Sequence, residues 1–75
     1  MTVDVITQAR SALAESPIHA LRELRVEQVG TSLILSGRVG SFYHKQLAQE
    51  VVRLIARDMR VVNVIDVNYD DGQTS

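Results

Sequence analysis

The spacing of the apolar residues changes from one period to another along this chain, and these changes constrain its fold most strongly. Near the N-terminus apolar residues recur every three or four positions, which predicts a helix at about residues 3–15. Ser16-Pro17 ends this helix, because a residue before proline is pushed out of the α region. Pro17 can then begin a single helical turn that reaches Leu21.

From Leu24 the apolar residues alternate with polar ones, which is typical of β-strands. Leu24 and Val26 alternate with charged residues as far as the turn expected at residues 29–31. A second alternating run follows at residues 33–39 and places four residues on one face: Leu33, Leu35, Gly37 and Val39. The two runs predict an antiparallel hairpin.

A second helix is expected after Ser41, which can cap its N-terminus. Its predicted apolar stripe is broad and consists of Tyr43, Leu47, Ala48, Val51, Val52, Leu54 and Ile55. Residues 61–67 are rich in β-branched side chains and predict a last strand. In that strand Asn63 falls on the inward face, where its amide needs a hydrogen-bonding partner.

This order predicts an α+β fold, an αββαβ two-layer sandwich with two helices on one face of a three-stranded mixed sheet. The pattern leaves the strand order open. A chain of 75 residues has room for one domain. We place that domain at residues 1–69 and expect a disordered polar tail at residues 70–75.

The residue inventory argues against catalysis and against cofactors. The chain has no cysteine, and its two histidines, His19 and His44, lie far apart without the spacing of a zinc site. No serine or acid stands in a recognisable catalytic setting, and so small a domain has little depth for a substrate pocket. The sequence therefore predicts a protein that is not an enzyme, with no metal, no other cofactor and no small-molecule substrate.

Charge argues against nucleic acid as a partner. Eight basic residues stand against nine acidic ones, for a net charge of -1, and no basic stripe appears. Gly37-Arg38-Val39-Gly40 spells the GxxG string of nucleic-acid-binding loops, but its first glycine falls in a predicted strand, so we interpret the string as coincidence. The first ten residues lack a basic leader and an apolar core, and no apolar run is long enough to span a membrane. These features predict a cytoplasmic protein.

Four stretches together resemble the BON domain, a bacterial module named for osmotic-shock periplasmic proteins and nodulation proteins. They are Leu24-Arg-Val-Glu, Leu33-Ile-Leu-Ser-Gly-Arg-Val, Lys45-Gln-Leu-Ala-Gln-Glu and Val61-Val-Asn-Val-Ile-Asp-Val. The resemblance covers about Leu13 to Val67. It implies an αββαβ fold without catalytic residues, and a function in binding phospholipid membranes or partner proteins.

The sequence offers two candidate contact surfaces and one structural glycine. The first surface combines Phe42 and Tyr43 with the basic residues Arg38 and Lys45, a composition that suits a lipid or a partner protein. On the alternative reading, Tyr43 begins the apolar stripe and Phe42 folds over the preceding turn.

The second surface is the open face of the sheet, where alternation places Ile34, Val62 and Val64. We expect a charged rim there, formed by Arg25, Arg38 and Asp66. Apolar patches with charged rims often mark interfaces, although β-branched residues also occur on solvated faces.

Gly37 is interpreted as structural, because a glycine within a strand marks a bulge or a close approach, here of a helix to the sheet. The chain is thus expected to contact a partner protein or a second copy of itself, so that a homo-oligomer is possible. Peripheral binding to phospholipid membranes is the alternative.

Overall fold

The computed structural model describes residues 4–68, which form three helices and five short strands. The helices are α1 (Val5–Ala14), α2 (His19–Arg22) and α3 (Phe42–Ile55). The strands are β1 (Arg25–Val29), β2 (Ser32–Ser36), β3 (Arg38–Val39), β4 (Arg60–Asn63) and β5 (Asp66–Val67). The predicted α+β fold, with helices packed on one face of a three-stranded mixed sheet, is confirmed. The tail expected at residues 70–75 lies outside the described residues.

The sheet has the strand order β1-β2-β4, with β2 in the centre. β1 and β2 form the predicted antiparallel hairpin, and β2 pairs with β4 in parallel. Gly30 opens the two-residue hairpin turn with φ 61°, a conformation that glycine adopts without strain and that matches the first central position of a type II′ turn. The strand order that the sequence left open is therefore that of a hairpin followed by a helical crossover.

The prediction of continuous strands at residues 33–39 and 61–67 was wrong in one respect, because a bend interrupts both of them. β3 and β5 continue beyond the bend as a separate parallel pair, with Arg38 opposite Asp66. Hydrogen bonds still join the two segments through the bend, from Val64 N to Leu35 O and from Asp66 N to Gly37 O, both 2.9 Å. The register of the pairing is the same before and after the bend.

The core is aliphatic, and every element except β4 and β5 contributes a buried side chain to it. The buried residues are Ala9, Leu13, Leu21, Val26, Leu33, Leu35, Val39, Ala48, Val52, Ala56 and Ile65. Leu33 and Leu35 of the central strand are fully buried beneath the helices, as strand alternation predicts.

The predicted apolar stripe of α3 was too broad. Ala48 and Val52 are its buried residues, followed by the buried C-cap residue Ala56, whereas Tyr43 and Leu54 are 68% and 66% exposed. At about 100° per residue, Tyr43 lies roughly 180° round the helix from Val52 and Leu54 roughly 160°. A small sheet and one neighbouring helix cannot cover so wide an arc, so both side chains face outward.

An ordered elbow joins α1 to β1, as expected from Ser16-Pro17. The Ser16 hydroxyl accepts a hydrogen bond from Ile18 N at 3.0 Å, and Arg22 Nε donates to Ser16 O at 2.7 Å. α2 lies within this elbow and sends Leu21 into the core. The elbow leads directly to Leu24, whose side chain lies over the bend at Gly37.

Candidate interaction surfaces

The helices leave one side of the sheet uncovered, and we call this side the open face. Alternation from the buried residues Val26, Leu33 and Leu35 assigns the outward positions. The open face consists of Arg25, Glu27, Val29, Ser32, Ile34, Ser36, Arg60, Val62 and Val64.

An apolar strip crosses the middle of the open face. Ile34 and Val62 are register partners on adjacent strands, and both are half-buried. Val64, directly after β4, is 53% exposed. The structure thus brings the three sequence-predicted residues together. It adds Val29, 59% exposed, which the sequence reading had assigned to the turn although it ends β1 opposite Ser32.

The charged rim of the open face differs from the predicted one. Arg38 and Asp66 lie opposite each other in the β3–β5 pair, beyond the bend. Arg25 keeps its place, and the remaining charges are Glu27 on edge strand β1 and Arg60 on edge strand β4. The β1 edge of this face thus carries one acidic and one basic residue, and the β4 edge carries one basic residue.

The aromatic pair at the start of α3 is exposed to solvent. Phe42 is 55% exposed, and the ring centroid of Tyr43 lies 5.7 Å from that of His44. Ser41 caps the helix as expected, since its hydroxyl accepts a hydrogen bond from His44 N at 3.2 Å. The reading in which Tyr43 begins the buried stripe is wrong.

The two basic residues assigned to this aromatic pair are placed differently from each other. Lys45 is half-buried on α3, and its carbonyl accepts a hydrogen bond from Asn63 Nδ2 at 3.0 Å. Arg38 lies on β3 and lines a shallow depression with Ala20, Glu23, Val39, Gly40 and Asn68. The lining of this depression includes the acid Glu23 and none of the aromatic residues, so the predicted group is divided between two places.

Gly37 lies at the bend with φ 126°, a backbone conformation that residues with a side chain rarely adopt. A Cβ placed there would stand 2.8 Å from Leu24 Cδ2 and 3.4 Å from Leu24 Cα. The close approach is therefore made by the end of the elbow. We expected that Gly37 allows a helix to approach the sheet. This prediction was wrong about the neighbour, which is Leu24.

Sequence reasoning missed a cleft between α3 and the start of β4. Its volume is about 420 Å³, and it is lined by Gln49, Arg53, Ala56, Arg57, Met59, Arg60 and Val61. We call it the arginine cleft. Arg53 on α3 and Arg57 in the turn after it are four residues apart, a spacing that the sequence itself shows. Arg60 joins them only through the packing of β4 beside α3.

The arginine cleft has an apolar floor and a basic rim. Ala56 is buried and Met59 and Val61 are half-buried, whereas Arg53, Arg57 and Arg60 are exposed. Arg57 Nε donates to Leu54 O at 3.3 Å. Among residues 4–68, His19 and Glu23 form the one ion pair within 4 Å, so no carboxylate in that range forms an ion pair with these guanidinium groups.

Other classes of site leave no trace within residues 4–68. No group of three or more metal-ligating side chains comes together there, and no helix in that range is long and apolar enough to cross a membrane. Comparison of the chain with protein-family models, with curated proteins and with solved structures gave no match. The resemblance to BON domains therefore stays a prediction.

Proposed function

We propose that this chain is a non-catalytic interaction module that associates with a second copy of itself through the open face. The observation that carries the proposal is the apolar strip of Ile34, Val62 and Val64 on a side of the sheet that no described element covers. Burying such a strip against another apolar surface is favourable, by about 25 cal/mol per Å² of apolar area removed from water.

The distribution of charge favours a second copy as the occupant. A twofold axis parallel to the strands can stack β2 of one copy on β2 of the other. It then places β1 of each copy over β4 of its partner. Ile34 meets its own counterpart at the centre, and Glu27 of each copy faces the edge that carries Arg60. Arg25 faces the same edge, but it pairs with Ser36 and so lies at the end of the sheet away from Arg60, which pairs with Ser32. The open face is in this sense complementary to itself.

The size of the open face sets the expected strength of this association. Three strands about 4.8 Å apart and about five residues long give a plan of roughly 14 by 17 Å. This is well below the area of about 800 Å² per partner that stable complexes usually bury. We therefore expect a weak dimer, with a dissociation constant of roughly 10–500 µM.

Replacement of Val64 by lysine tests the proposal. Val64→Lys puts a charge into the apolar strip, and because Val64 is already exposed the fold should be retained. Sedimentation equilibrium should show a monomer–dimer equilibrium in the original chain and at least about fivefold weaker dimerisation in the variant.

Leu54→Lys is the matched control, since it replaces another exposed aliphatic residue on the opposite layer. It should leave the dimer unchanged. A chain that stays monomeric at the highest attainable concentration would refute self-association, as would equal weakening by the two variants.

Peripheral binding to phospholipid is the second candidate, and the exposure of Phe42 and Tyr43 favours it. Aromatic side chains that project from a helix end can enter the interfacial region of a bilayer. Its test is co-sedimentation with anionic liposomes at physiological salt, comparing Phe42→Ala with Leu54→Ala. Binding lost only in Phe42→Ala would support this candidate, and absence of binding in the original chain would refute it.

A further inference from the structure

The outer edge of β4 is unpaired within the described residues, where β2 is its one strand partner. Arg60 N donates to Thr31 O at 3.1 Å and Val64 N to Leu35 O at 2.9 Å, so residues 60, 62 and 64 direct their backbone groups toward β2. Alternation then directs the N–H and C=O groups of Val61 and Asn63 away from the sheet. These groups form a template for one more strand.

This open template is short and has a defined end. The next outward amide, Ile65 N, donates to Asn63 Oδ1 at 3.1 Å and is therefore already occupied. At the other edge of the sheet, Arg10 Nε reaches over from α1 to Val26 O at 3.1 Å and covers part of β1. The two edges are thus unequal, because a side chain occupies one outward carbonyl of β1, whereas the outward groups of β4 begin at Val61, which lines the arginine cleft.

The arginine cleft lies directly beside this edge. Val61 and Arg60 belong both to β4 and to the lining of the cleft. Arg53 on α3 and Arg57 in the turn after α3 line its other side. A strand added along β4 would direct alternate side chains toward the helix layer, which is the side on which the cleft opens. Those side chains would meet an apolar floor framed by guanidinium groups.

We propose that β4 and the arginine cleft together bind an extended acidic segment of another protein by strand addition. Backbone hydrogen bonds to Val61 and Asn63 would supply the pairing, and carboxylates flanking an aliphatic residue would match the rim and floor of the cleft. This binding site shares Arg60 with the open face and otherwise uses different residues, and its test replaces Arg53 and Arg57, so the test does not depend on self-association.

Charge argues against a second copy as the added strand. Antiparallel pairing of β4 with its own counterpart would bring two sets of Arg53, Arg57 and Arg60 beside each other. Like charges held this close repel, which disfavours the pairing. An acidic partner gains from the same three residues.

The experiment titrates the full chain with a labelled synthetic peptide of alternating Glu and Val, at physiological salt. Two control peptides accompany it: the same peptide with alternate backbone nitrogens methylated, and a peptide of alternating Lys and Val. Methylation keeps every charge but removes the donors that strand pairing needs. Fluorescence anisotropy measures affinity, and amide hydrogen exchange reports on Val61 and Asn63.

We expect the acidic peptide to bind and to slow exchange at both amides, and the control peptides to bind at least about tenfold more weakly. The double variant Arg53→Gln/Arg57→Gln should weaken binding at least about fivefold. Arg25→Gln/Arg38→Gln removes the same charge from elsewhere and should have little effect.

Three results would overturn the proposal. Equal binding of the methylated peptide would exclude strand addition, and equal binding of the basic peptide would exclude recognition by charge. Protection of Val61 and Asn63 that rises with protein concentration, without peptide, would show that the added strand comes from a second copy.

Discussion

Gly37 is the residue at which the central strand bends, and its lack of a side chain makes room for Leu24. Two independent costs follow from adding a methyl group: a Cβ only 2.8 Å from Leu24 Cδ2, and a φ of 126°. Gly37→Ala should lower the free energy of unfolding by about 1–3 kcal/mol. Urea denaturation measures this change.

Gly40→Ala is the matched control for that prediction. A Cβ at Gly40 meets no atom within 4 Å, and the φ of Gly40 lies outside the left-handed region. Gly40→Ala should therefore lower the free energy of unfolding much less than Gly37→Ala does. Equal unfolding free energies for the two variants would contradict the role assigned to Gly37.

Asn63 is the polar residue whose inward position the sequence indicated, and it joins three parts of the fold. Its Nδ2 donates to Lys45 O at 3.0 Å and to Gln49 Oε1 at 3.1 Å, both on α3. Its Oδ1 accepts from Ile65 N, at the bend that separates β4 from β5. The prediction that this amide would find a backbone partner is confirmed.

Removing this amide leaves half-buried polar groups without their partners. Asn63→Ala should therefore destabilise the fold by about 1–3 kcal/mol in chemical denaturation. Asn68→Ala deletes the same group from an exposed position and should have an effect of at most about 0.5 kcal/mol. If the two substitutions lower the free energy of unfolding equally, the hydrogen bonds of the Asn63 side chain do not contribute specifically to stability.

At the scale of whole elements, local patterns predicted helices and strands well and packing poorly. Period-two alternation correctly put Leu33 and Leu35 inward, because parity along a strand is a local property. Whether Tyr43 is exposed depends on how wide an arc of α3 the sheet covers. The spacing of apolar residues along the helix does not give the width of that arc. The arginine cleft depended on β4 returning beside α3, and that contact exists only in the folded chain.

The N-termini of α1 and α3 differ in a way that can be measured. Ser41 caps α3 with a side-chain hydrogen bond, whereas Asp4 stands at the N-cap of α1 without one. Ser41→Ala should reduce stability by about 1 kcal/mol, and Asp4→Ala by clearly less. Thermal unfolding followed by circular dichroism would rank the two variants. The reverse order would contradict the cap assigned to Ser41.

Over the whole molecule, three surfaces offer contacts of different chemistry. The open face has an apolar middle and charged residues along both edges, the start of α3 presents two exposed aromatic rings, and the arginine cleft is basic and lies beside an unpaired strand edge. Apart from Arg60, which belongs to both the open face and the arginine cleft, these surfaces share no residue, so substitutions at other positions of one should not disturb the others. Residue types in the sequence indicated the first two surfaces. The arginine cleft could be recognised only in the folded structure.

Self-association through the open face is tested most directly by recording amide chemical shifts of the protein over a dilution series. We expect concentration-dependent shifts to cluster at Ser32, Ile34, Ser36, Val62 and Val64, and to be reduced in Val64→Lys. Shifts that cluster at Phe42 and Tyr43, or spectra that do not change with concentration, would contradict the proposed interface.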